Sequence, residues 1–451
     1  MMTFITRNKK IFAIAFWLLL WQFVASFSDK QLFFTSPLAV LTRLLEFLAT
    51  FDFWFIISKT ALRISCGILI GFLLGFILAV LAFNNKLMKI LLAPLVLAIK
   101  SVPLVSIIML LLLFISSHDL AFLVSGMMLL PIIYTNVLTG LDSADHDLLE
   151  MARVFRMSDQ TVWRFIYIPS LEAQLSAGLE LGIGMAWKAG LAAEVFGTPT
   201  PSIGEALYKA KIYLNTTDLF TWTLVLLMMS LIFEKLSLKI LAIVLTKNKT
   251  TPTKLKPKKT DRTKKQQTPI VIKNLQKSYG EKEVFSRLNL KIEPGTITCI
   301  MGPSGIGKTT LLRIILGLED FQAGTVEGVA DKSFAVAFQE NRLFEEFSIC
   351  QNLAVTSVLD LEHAHKFGLT DLKQKVANLS GGMKRRVALL RAVLSDYEVL
   401  ILDEPGQGLD EQLKQVVLSK LLKINQDRTI IFVTHDAEEA RFFKPDKFVR
   451  L

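Results

Sequence analysis

Cysteine is scarce in this chain, which has three among 451 residues: Cys66, Cys299 and Cys350. They are scattered along the sequence and show neither the close spacing of a metal site nor the even, clustered pattern of a disulfide framework. Their scarcity argues against a disulfide-stapled scaffold and a cysteine-bound metal. We interpret all three as reduced packing residues.

A signal-peptide cleavage site is also missing. The first apolar run, Ile11–Phe27, follows Arg7, Lys9 and Lys10, as the apolar part of a signal peptide would. No small-residue cleavage site comes after it, whereas several more apolar runs do. The pattern therefore favours a retained first membrane helix.

Composition excludes a purely soluble chain and a fully embedded one. Hydrophobic residues make up 52%, and the mean hydropathy is +0.45. A chain buried wholly in lipid would not, however, carry 20% charged residues. A length of 451 residues allows two or three domains. A membrane part joined to a water-soluble part accounts for all three observations.

Acidic residues are nearly absent from one segment. Lys247–Lys265 holds eight lysines and one arginine against a single acid, Asp261. A basic run can bind nucleic acid or anionic lipid, or can simply be solvated. Because this run follows an apolar segment, it could be attracted to the cytoplasmic lipid surface. A merely solvated linker is the open alternative. We expect no nucleic-acid partner.

Six apolar runs approach the roughly 20 residues that cross a bilayer as a helix. The positively charged short loops lie on one side of these runs, which predicts a cytoplasmic amino terminus and a cytoplasmic second domain. The predicted spans are Ile11–Phe27, Ile56–Phe83, Leu87–Ile115, Leu120–Leu141, Leu171–Phe196 and Leu219–Leu245.

The chain is thus predicted to comprise an all-α, six-helix transmembrane domain over residues 1–245, a basic linker over 246–269 and an α/β domain over 270–451. The linker is rich in lysine, threonine and proline and has no apolar periodicity, so we expect an extended tether. In the last segment, short strand-like runs alternate with helical stretches. The strand-like runs are Ile270–Ile272, Ile297–Met301, Val399–Leu402 and Ile430–Val433.

Residues 302–309 read GPSGIGKT, after one predicted strand and before a helix expected to open at Thr310. A chance glycine-rich turn would lack that context. In a phosphate-binding loop, backbone N–H groups surround the phosphates, Lys308 reaches the β- and γ-oxygens, and the Thr309 hydroxyl coordinates Mg²⁺. The predicted nucleotide-binding residues are Gly302, Ser304, Gly305, Gly307, Lys308, Thr309 and Thr310.

Two further segments complete the predicted nucleotide chemistry. Asp403 and Glu404 end an apolar strand, so we expect Asp403 at the Mg²⁺ ion and Glu404 beside the attacking water. Ser380, Gly381 and Gly382 open a helix, which favours an anion site there. One domain holds no second phosphate for that site, but a second copy packed head to tail would supply one.

These segments resemble the ATP-binding cassette (ABC) family in their order along about 180 residues. By this resemblance Tyr279 stacks on adenine, Gln339 senses Mg²⁺ and the membrane domain, Asp410 lies in a loop that communicates across a dimer, and His435 contacts the γ-phosphate. Taken alone, Tyr279 would be a surface aromatic and His435 structural; their places in the order favour the functional interpretation. Met383 departs from the usual glutamine.

Residues 147–156, DLLEMARVFR, lie in the predicted cytoplasmic loop before the fifth span and continue to Pro169. A helix lying in the lipid interface is one interpretation. The stretch also resembles the glutamate–alanine–alanine loop of bacterial ABC importer permeases, in which a coupling helix docks on the ATPase. That resemblance assigns coupling roles to Glu150 and Ala152, and places Arg156 where the family has glycine. Glu345 and Glu346 depart from a proline–tryptophan pair common beside this contact.

The segment from Gly184 to Gly197 is similar to permeases of the nitrate, sulfonate and taurine importer family, in which permease and ATPase are usually separate chains. Their fusion here implies a homodimer. Charged residues inside membrane spans are costly and point to either ion pairing or a substrate path. Lys100, Glu180, Lys188 and Glu194 are of this kind.

The resemblance implies an ATP hydrolase that drives import of a small solute across the bacterial cytoplasmic membrane, with an extracytoplasmic solute-binding protein as partner. ATP and Mg²⁺ are the implied cofactors. The alternatives are an ABC exporter, a mechanotransducing ATPase that needs no binding protein, and a non-transport ATPase tethered to the membrane. The solute itself is not indicated by the sequence.

Overall fold

The computed structural model describes residues 9–26, 35–248, 268–356, 361–409, 411–424 and 428–451. These residues form two compact units. The first unit comprises residues 1–143 and 169–246, and the second comprises residues 144–168 and 247–451. The division differs from the predicted domains in one segment, because Ala144–Ile168 packs with the carboxy-terminal part. Most of the predicted linker lies outside the described residues.

Long helices make up the first unit. The sequence favours them because apolar residues with high helix propensity run for several turns between polar caps such as Ser36, whose hydroxyl accepts from the Ala39 N–H. The helices are α1 Lys9–Ser26, α2 Pro37–Leu48, α3 Phe51–Asn84, α4 Lys86–Ser101, α5 Leu104–Leu111, α6 Ser117–Asp142, α9 Ile168–Gly197, α10 Ile203–Ile212 and α11 Thr216–Asn248.

Helices α3 and α6 pack closely because α3 places glycine at every fourth position. A Cβ atom added to Gly67 would lie 2.1 Å from the Phe122 carbonyl oxygen, and one added to Gly71 would lie 2.4 Å from the Gly126 carbonyl oxygen. Small residues spaced by four let two helix backbones approach in a membrane, where lipid supplies no hydrophobic drive.

The six predicted spans are not all confirmed. Among the described residues, α3 and α6 are each long and apolar enough to cross a membrane, whereas α9, which holds the predicted span Leu171–Phe196, is not among the helices that qualify. The predicted span Leu87–Ile115 is instead two helices, α4 and α5, which bend by 100° at a break and count as a third span only if taken together. Pro103 lies at the bend, where its ring and missing N–H interrupt the helix.

The second unit is an α/β fold with two sheets. One is antiparallel, in the order β2-β1-β4, and the other is parallel, in the order β5-β6-β7-β3-β8. The strands are β1 Ile270–Tyr279, β2 Lys282–Ile292, β3 Ile297–Met301, β4 Ala323–Glu327, β5 Phe334–Ala337, β6 Val399–Asp403, β7 Thr429–Thr434 and β8 Lys447–Arg450. The four strand-like runs predicted from the sequence are all strands.

Helices cover both faces of the parallel sheet, whose central strands β6 and β7 are buried along their whole length. The helices of this unit are α7 His146–Val154, α8 Asp159–Val162, α12 Lys308–Ile315, α13 Ile349–Ala354, α14 Leu361–Lys366, α15 Gly381–Leu394, α16 Glu411–Ile424 and α17 Ala437–Phe443. A π-helical turn, Trp163–Tyr167, joins α8 to α9.

The three cysteines carry no disulfide, and Cys299 is buried in the core of the second unit. Cys66 differs from the prediction. It lies exposed on α3, because it falls on the face turned away from α6, and so it is not a packing residue.

Candidate functional site

The loop Gly302–Thr309 follows the carboxyl end of β3, and helix α12 begins at Lys308, two residues before the predicted start. Gly307 precedes the helix with φ +109°, a value that favours glycine. A Cβ atom there would also lie 2.4 Å from a methyl carbon of Val284. Glycine at this position therefore lets the loop close over the amino terminus of α12, where backbone N–H groups and the helix dipole favour an anion.

Lys308 is buried, and its ammonium group stays within the loop. Its Nζ atom donates to the carbonyl oxygens of Gly302 at 2.7 Å and Pro303 at 3.0 Å. A full positive charge surrounded by neutral acceptors, at the start of a helix, is the electrostatic arrangement of a phosphate site. The loop chemistry predicted for this lysine is thus available in the folded chain.

Asp403 lies at the carboxyl end of β6 and is only 4% exposed. Its Oδ2 atom accepts a hydrogen bond of 3.0 Å from the Thr309 hydroxyl. Burial raises the pKa of the Asp403 carboxyl, and the Thr309 hydrogen bond only partly opposes this effect. No side-chain cation of the described residues forms an ion pair with this buried carboxylate, so the oxygen set fits a Mg²⁺ ion.

Glu404 and His435 lie side by side at the carboxyl ends of neighbouring strands. The Nδ1 atom of His435 is 3.0 Å from Oε1 of Glu404. Glu404 adopts φ +49°, which is uncommon for a residue with a side chain, and its N–H donates to the Val433 carbonyl at 2.9 Å. Backbone strain of this kind concentrates at functional sites, here with the carboxylate directed towards His435.

A pocket of about 390 Å³ brings most of the predicted nucleotide residues together. It adjoins the end of β1, where the Nζ atom of Lys277 lies 4.5 Å from the centre of the Tyr279 ring. The lining residues are Tyr279, Lys282, Val284, Ser304, Gly305, Gly307, Lys308, Thr309, Thr310, Gln339, Asp403 and Glu404. Gln339 thus lines the same cavity as Thr309 and Asp403, the two other residues predicted to hold Mg²⁺.

Four of the predicted nucleotide-binding residues that the structure describes do not line this pocket: Gly302, Ser380, Gly381 and Gly382. Ser380 is exposed at the amino terminus of α15, its hydroxyl accepting from the Met383 N–H at 3.3 Å, and Gly381 and Gly382 follow it. They form a second, separate helix terminus open to solvent. Asp410 lies outside the described residues.

Arg385 is a site residue that sequence reasoning missed. It is 2% exposed, and burial lowers its pKa to about 10. Its guanidinium donates to the carbonyl oxygens of Asp403 at 2.6 Å and Glu404 at 2.7 Å, and also to that of Phe338. One buried side chain therefore holds the carboxyl end of β6 against the residue that precedes Gln339. Only its place four residues into a helix after the Ser380 loop hinted at it.

Glu439 is a second missed residue, buried on α17. Its carboxylate accepts from the Gly406 N–H at 2.8 Å and from the Thr434 hydroxyl at 2.5 Å. Burial raises its pKa, and the Thr434 hydrogen bond opposes that rise. The contacts tie the chain after Glu404 to the chain before His435, so they fix the spacing of the two catalytic candidates.

Glu150, predicted to couple the two domains, is buried within the second unit. One guanidinium nitrogen of Arg313 lies 2.5 Å from Oε1, another lies 2.8 Å from Oε2, and Arg342 donates to Oε2 at 2.8 Å. Burial raises the pKa of Glu150, but the hydrogen bonds from the two arginines outweigh it, so the net pKa is lowered. His146 and Asp147 lie nearby, yet two guanidinium groups on Glu150 argue against a metal there.

The segment around Glu150 completes the hydrophobic core of the second unit. Met151 and Ala152 are buried, at 0% and 3% exposure, among strand and helix residues of the α/β fold. Phe165 packs between two aromatic rings, with centroid distances of 5.7 Å to Phe344 and 5.0 Å to Phe347. The interfacial-helix interpretation does not fit this buried, protein-facing packing.

Arg156 stands at the position where the importer permeases that this segment resembles have glycine. Its φ is +48°, in the left-handed region where glycine is the usual residue. Its guanidinium donates to the carbonyl oxygens of Lys332 at 2.9 Å and Ala330 at 3.4 Å. The side chain thus gains two hydrogen bonds in the second unit that a glycine could not make.

Comparisons with known proteins match two parts of the chain to two families. Residues 285–407 match the family of ABC transporters, and residues 68–244 match the family described as binding-protein-dependent transport system inner membrane component. The spermidine/putrescine import ATP-binding protein PotA of Haemophilus ducreyi is 36% identical over 198 residues, which are 39% of this chain and 53% of PotA.

A second relative, "Probable sulfate/thiosulfate import ATP-binding protein CysA" of Chlorella vulgaris, is 34% identical over 198 residues, 38% of this chain and 82% of the relative. The ATP-binding cassette MJ0796, solved as a dimer bound to ADP and Pi, is 26% identical, with a TM-score of 0.36 over 40% of this chain and 94% of that one. The chain spans about half the length of the first curated relatives, 53% and 56%.

The family matches and the geometry agree on two functional parts. A permease-like helical part and a phosphate-loop ATP-binding part occur in one polypeptide. The chain belongs to the ABC transporter family.

Proposed function

We propose that this chain is an ATP-driven importer of a small solute in the bacterial cytoplasmic membrane. Two copies form the working transporter, each contributing six membrane spans and one ATPase domain on the cytoplasmic side. An extracytoplasmic solute-binding protein delivers the solute. Within the importers, the permease part is assigned to the nitrate, sulfonate and taurine family by the similarity of residues 184–197.

The observation that carries the proposal is the environment of Glu150. This residue belongs to the stretch matched by the inner-membrane permease family, residues 68–244, yet its carboxylate is buried between Arg313 and Arg342 of the ATP-binding part. A buried carboxylate with two guanidinium partners has a fixed geometry. A shift of the ATP-binding part can therefore be carried to the permease through a rigid ionic contact.

For hydrolysis, the proposed roles follow from the pocket. Lys308 and the N–H groups at the start of α12 bind the phosphates, while Tyr279 presents its ring for the adenine. A Mg²⁺ ion held by Thr309, Asp403 and Gln339 would neutralise charge on the β- and γ-phosphate oxygens. Glu404 takes the proton of the attacking water, and His435, 3.0 Å away, contacts the γ-phosphate and holds Glu404 in place.

A second copy of the chain is needed because Ser380, Gly381 and Gly382 do not line the pocket of their own copy. Placed opposite the pocket of the other copy, this helix terminus would bind its γ-phosphate. Closing of the two ATP-binding parts would then move the Glu150 segments together and open the permease outward.

The relatives' names support import but do not identify the solute. One is named for spermidine and putrescine and another for sulfate and thiosulfate, although both resemble the same ATP-binding segment. Selection of the solute is therefore assigned to the permease and the binding protein. An exporter or a mechanotransducer has no use for the Glu150 segment in its importer form, and a tethered ATPase has no use for a permease segment.

The test is to reconstitute the full chain in liposomes and measure ATP hydrolysis with and without the solute-binding protein encoded beside its gene. An importer hydrolyses ATP several-fold faster with the loaded binding protein outside the membrane. Unchanged hydrolysis, together with solute leaving the ATP side, would establish the exporter instead.

A further inference from the structure

Lys100, Glu180, Lys188 and Glu194 are charged residues that lie within predicted membrane spans. Two of them, Glu194 and Lys100, have partners inside the first unit. Glu194, 0% exposed, accepts from the Thr60 hydroxyl at 2.9 Å and the Gly204 N–H at 3.3 Å, and lies 3.4 Å from Arg63. Lys100 donates to the Thr135 hydroxyl at 2.8 Å. These contacts make Glu194 a structural residue that caps α10.

The other two, Glu180 and Lys188, are both exposed on α9, and no described residue forms an ion pair or hydrogen bond with either. They are eight residues apart, so they lie on the same face of the helix, separated by about 12 Å along its axis. The opposite face of α9 is buried, with Ala186 at 0% exposure and Ala189 at 2%. The two charges therefore face away from the helix bundle.

Gly184 lies halfway between Glu180 and Lys188, and the space beside its Cα atom is empty. A Cβ atom added there would meet no atom within 4 Å, whereas at Gly182 and Gly190, on the packed side of the same helix, the added atom would lie 2.5 Å and 2.9 Å from a neighbour. The face that holds the two charges is thus unfilled by the chain itself.

Lipid is a poor neighbour for this face. A charged side chain near the bilayer centre costs about 3 kcal/mol or more unless it meets water or a partner. A homodimer with both ATP-binding parts on one side has its two-fold axis along the membrane normal, so equivalent residues sit at equal depth. Glu180 would then face its own copy, and so would Lys188, and like charges in direct contact repel.

We propose that Glu180 and Lys188 line a water-filled solute path between two copies of the chain, as an anionic tier and a cationic tier on either side of Gly184. The path takes a solute that carries a cationic group at one end and an anionic group at the other, oriented along the membrane normal. The inference rests on the homodimer and on the membrane span Leu171–Phe196 of the proposed function, and it adds the substrate class.

The test uses single cysteines in the full-length chain in liposomes. Cys66 and Cys350 are replaced by alanine; Cys299 stays, because burial raises its pKa to about 12 and keeps the thiol unreactive. Gly184→Cys is then treated with the anionic sulfonatoethyl and the cationic trimethylammonioethyl methanethiosulfonate. Both are expected to react, Glu180→Gln slowing the cationic reagent and Lys188→Gln the anionic one by roughly threefold to tenfold.

Leu73→Cys is the matched control, since Leu73 is 47% exposed on α3 among apolar neighbours and should not react. Gly184→Cys as unreactive as Leu73→Cys, in a preparation that still hydrolyses ATP as a dimer, would overturn the path while leaving the proposed function intact. A preparation that is monomeric and inactive would instead contradict the proposed function itself.

The substrate class is tested by protection of Gly184→Cys with three solutes at equal concentration: 4-aminobutyrate, sulfate and putrescine. Protection by 4-aminobutyrate alone supports a mixed-charge solute, and protection by only one of the other two, or by none, overturns that class. The alternative is an ion pair between Glu180 of one copy and Lys188 of the other. In that case the double variant Glu180→Lys with Lys188→Glu would regain ATPase activity that each single variant loses. That result would also overturn the path.

Discussion

Nδ1 of His435 lies 3.0 Å from Oε1 of Glu404, and both residues follow directly from adjacent parallel strands. Parallel strands bring their carboxyl ends to one edge of a sheet, so two residues far apart in sequence meet beside the phosphate loop. The contact aligns a carboxylate that can accept a proton with an imidazole that can hold it in position.

The first prediction concerns Glu404→Gln. Loss of the carboxylate removes the proton acceptor while keeping the size of the side chain, so ATP hydrolysis should fall by about 10²–10⁴-fold. ATP binding should survive, because Lys308 and the loop are unchanged, and the dimer should accumulate with ATP bound. Hydrolysis rates and nucleotide retention measure the two effects.

The matched control for that variant is Glu327→Gln, which removes a surface carboxylate paired with Lys273 at 3.2 Å. It should leave hydrolysis within experimental error of the unmodified chain. If Glu404→Gln hydrolysed ATP at the normal rate, the assignment of Glu404 as the proton acceptor would be wrong.

The second prediction concerns Glu150→Gln. It removes the buried partner of Arg342, whose side chain is 5% exposed, and leaves it only the half-exposed Asp147 at 3.0 Å. Breaking a buried ion pair costs about 3 kcal/mol, the lower end of the range because the Arg313 side chain keeps 25% exposure. The melting temperature of the second unit should fall by roughly 6–12 °C. Asp147→Asn, which breaks the solvent-exposed ion pair of the same Arg342, should lower it far less.

Glu150 also makes a pH prediction. Its pKa is lowered in the folded chain, so its stabilisation is complete above the ordinary value of 4.5 and is lost as the pH falls through the lowered value. Thermal unfolding followed between pH 6 and pH 3 should therefore show an acid-side loss of stability that is smaller in Glu150→Gln. Identical slopes in both proteins would show that Glu150 is not held by the arginines.

The third prediction concerns Arg385→Lys. Lysine carries one compact charge and lacks the planar fork that reaches the carbonyl oxygens of Asp403, Glu404 and Phe338 together. The turnover number should fall at least about tenfold, whereas the KM for ATP, set by the phosphate loop, should stay close to normal. A fall in stability with unchanged turnover per folded molecule would mean that Arg385 only supports the fold.

Arg386→Lys is the control for that experiment. Arg386 donates to the carbonyl oxygens of Phe367 at 3.0 Å and Gly368 at 3.1 Å, away from the catalytic strand. Its replacement should leave the turnover number unchanged.

The fourth prediction compares Arg156→Gly with Arg156→Ala. Both lose the hydrogen bonds to Lys332 and Ala330, but alanine keeps the cost of φ +48° while glycine relieves it. The glycine variant should therefore be more stable than the alanine variant by about 1 kcal/mol, measured by thermal unfolding. Equal stability of the two would mean that the turn relaxes away from the left-handed region.

The sequence predicted the parts of the site that are local in the chain. The loop at Gly302–Thr309 and the pair Asp403 and Glu404 depend on spacing within one strand, turn and helix, so neighbouring residues suffice. Arg385 and Glu439 were missed because each is joined to the site through main-chain atoms as far as 47 residues away, and a backbone carbonyl or N–H group has no sequence signature.

The membrane part was less well predicted, for a related reason. Hydropathy measures how apolar a run is but not whether it stays straight, so Leu87–Ile115 was predicted as one span although it bends by 100°. Likewise four charged residues looked equivalent in sequence, and only packing separates Glu194, which is enclosed, from Glu180, which is not.

The position of Phe165 has a practical consequence for dissection of this protein. Its ring fills the space between Phe344 and Phe347, yet it comes from a stretch more than 100 residues before the first strand of the α/β fold. A fragment that starts at Ile270 would therefore lack Phe165 and expose the apolar surface around Phe344 and Phe347. Such a fragment should aggregate in solution, and adding a synthetic peptide of residues 144–168 should keep it soluble.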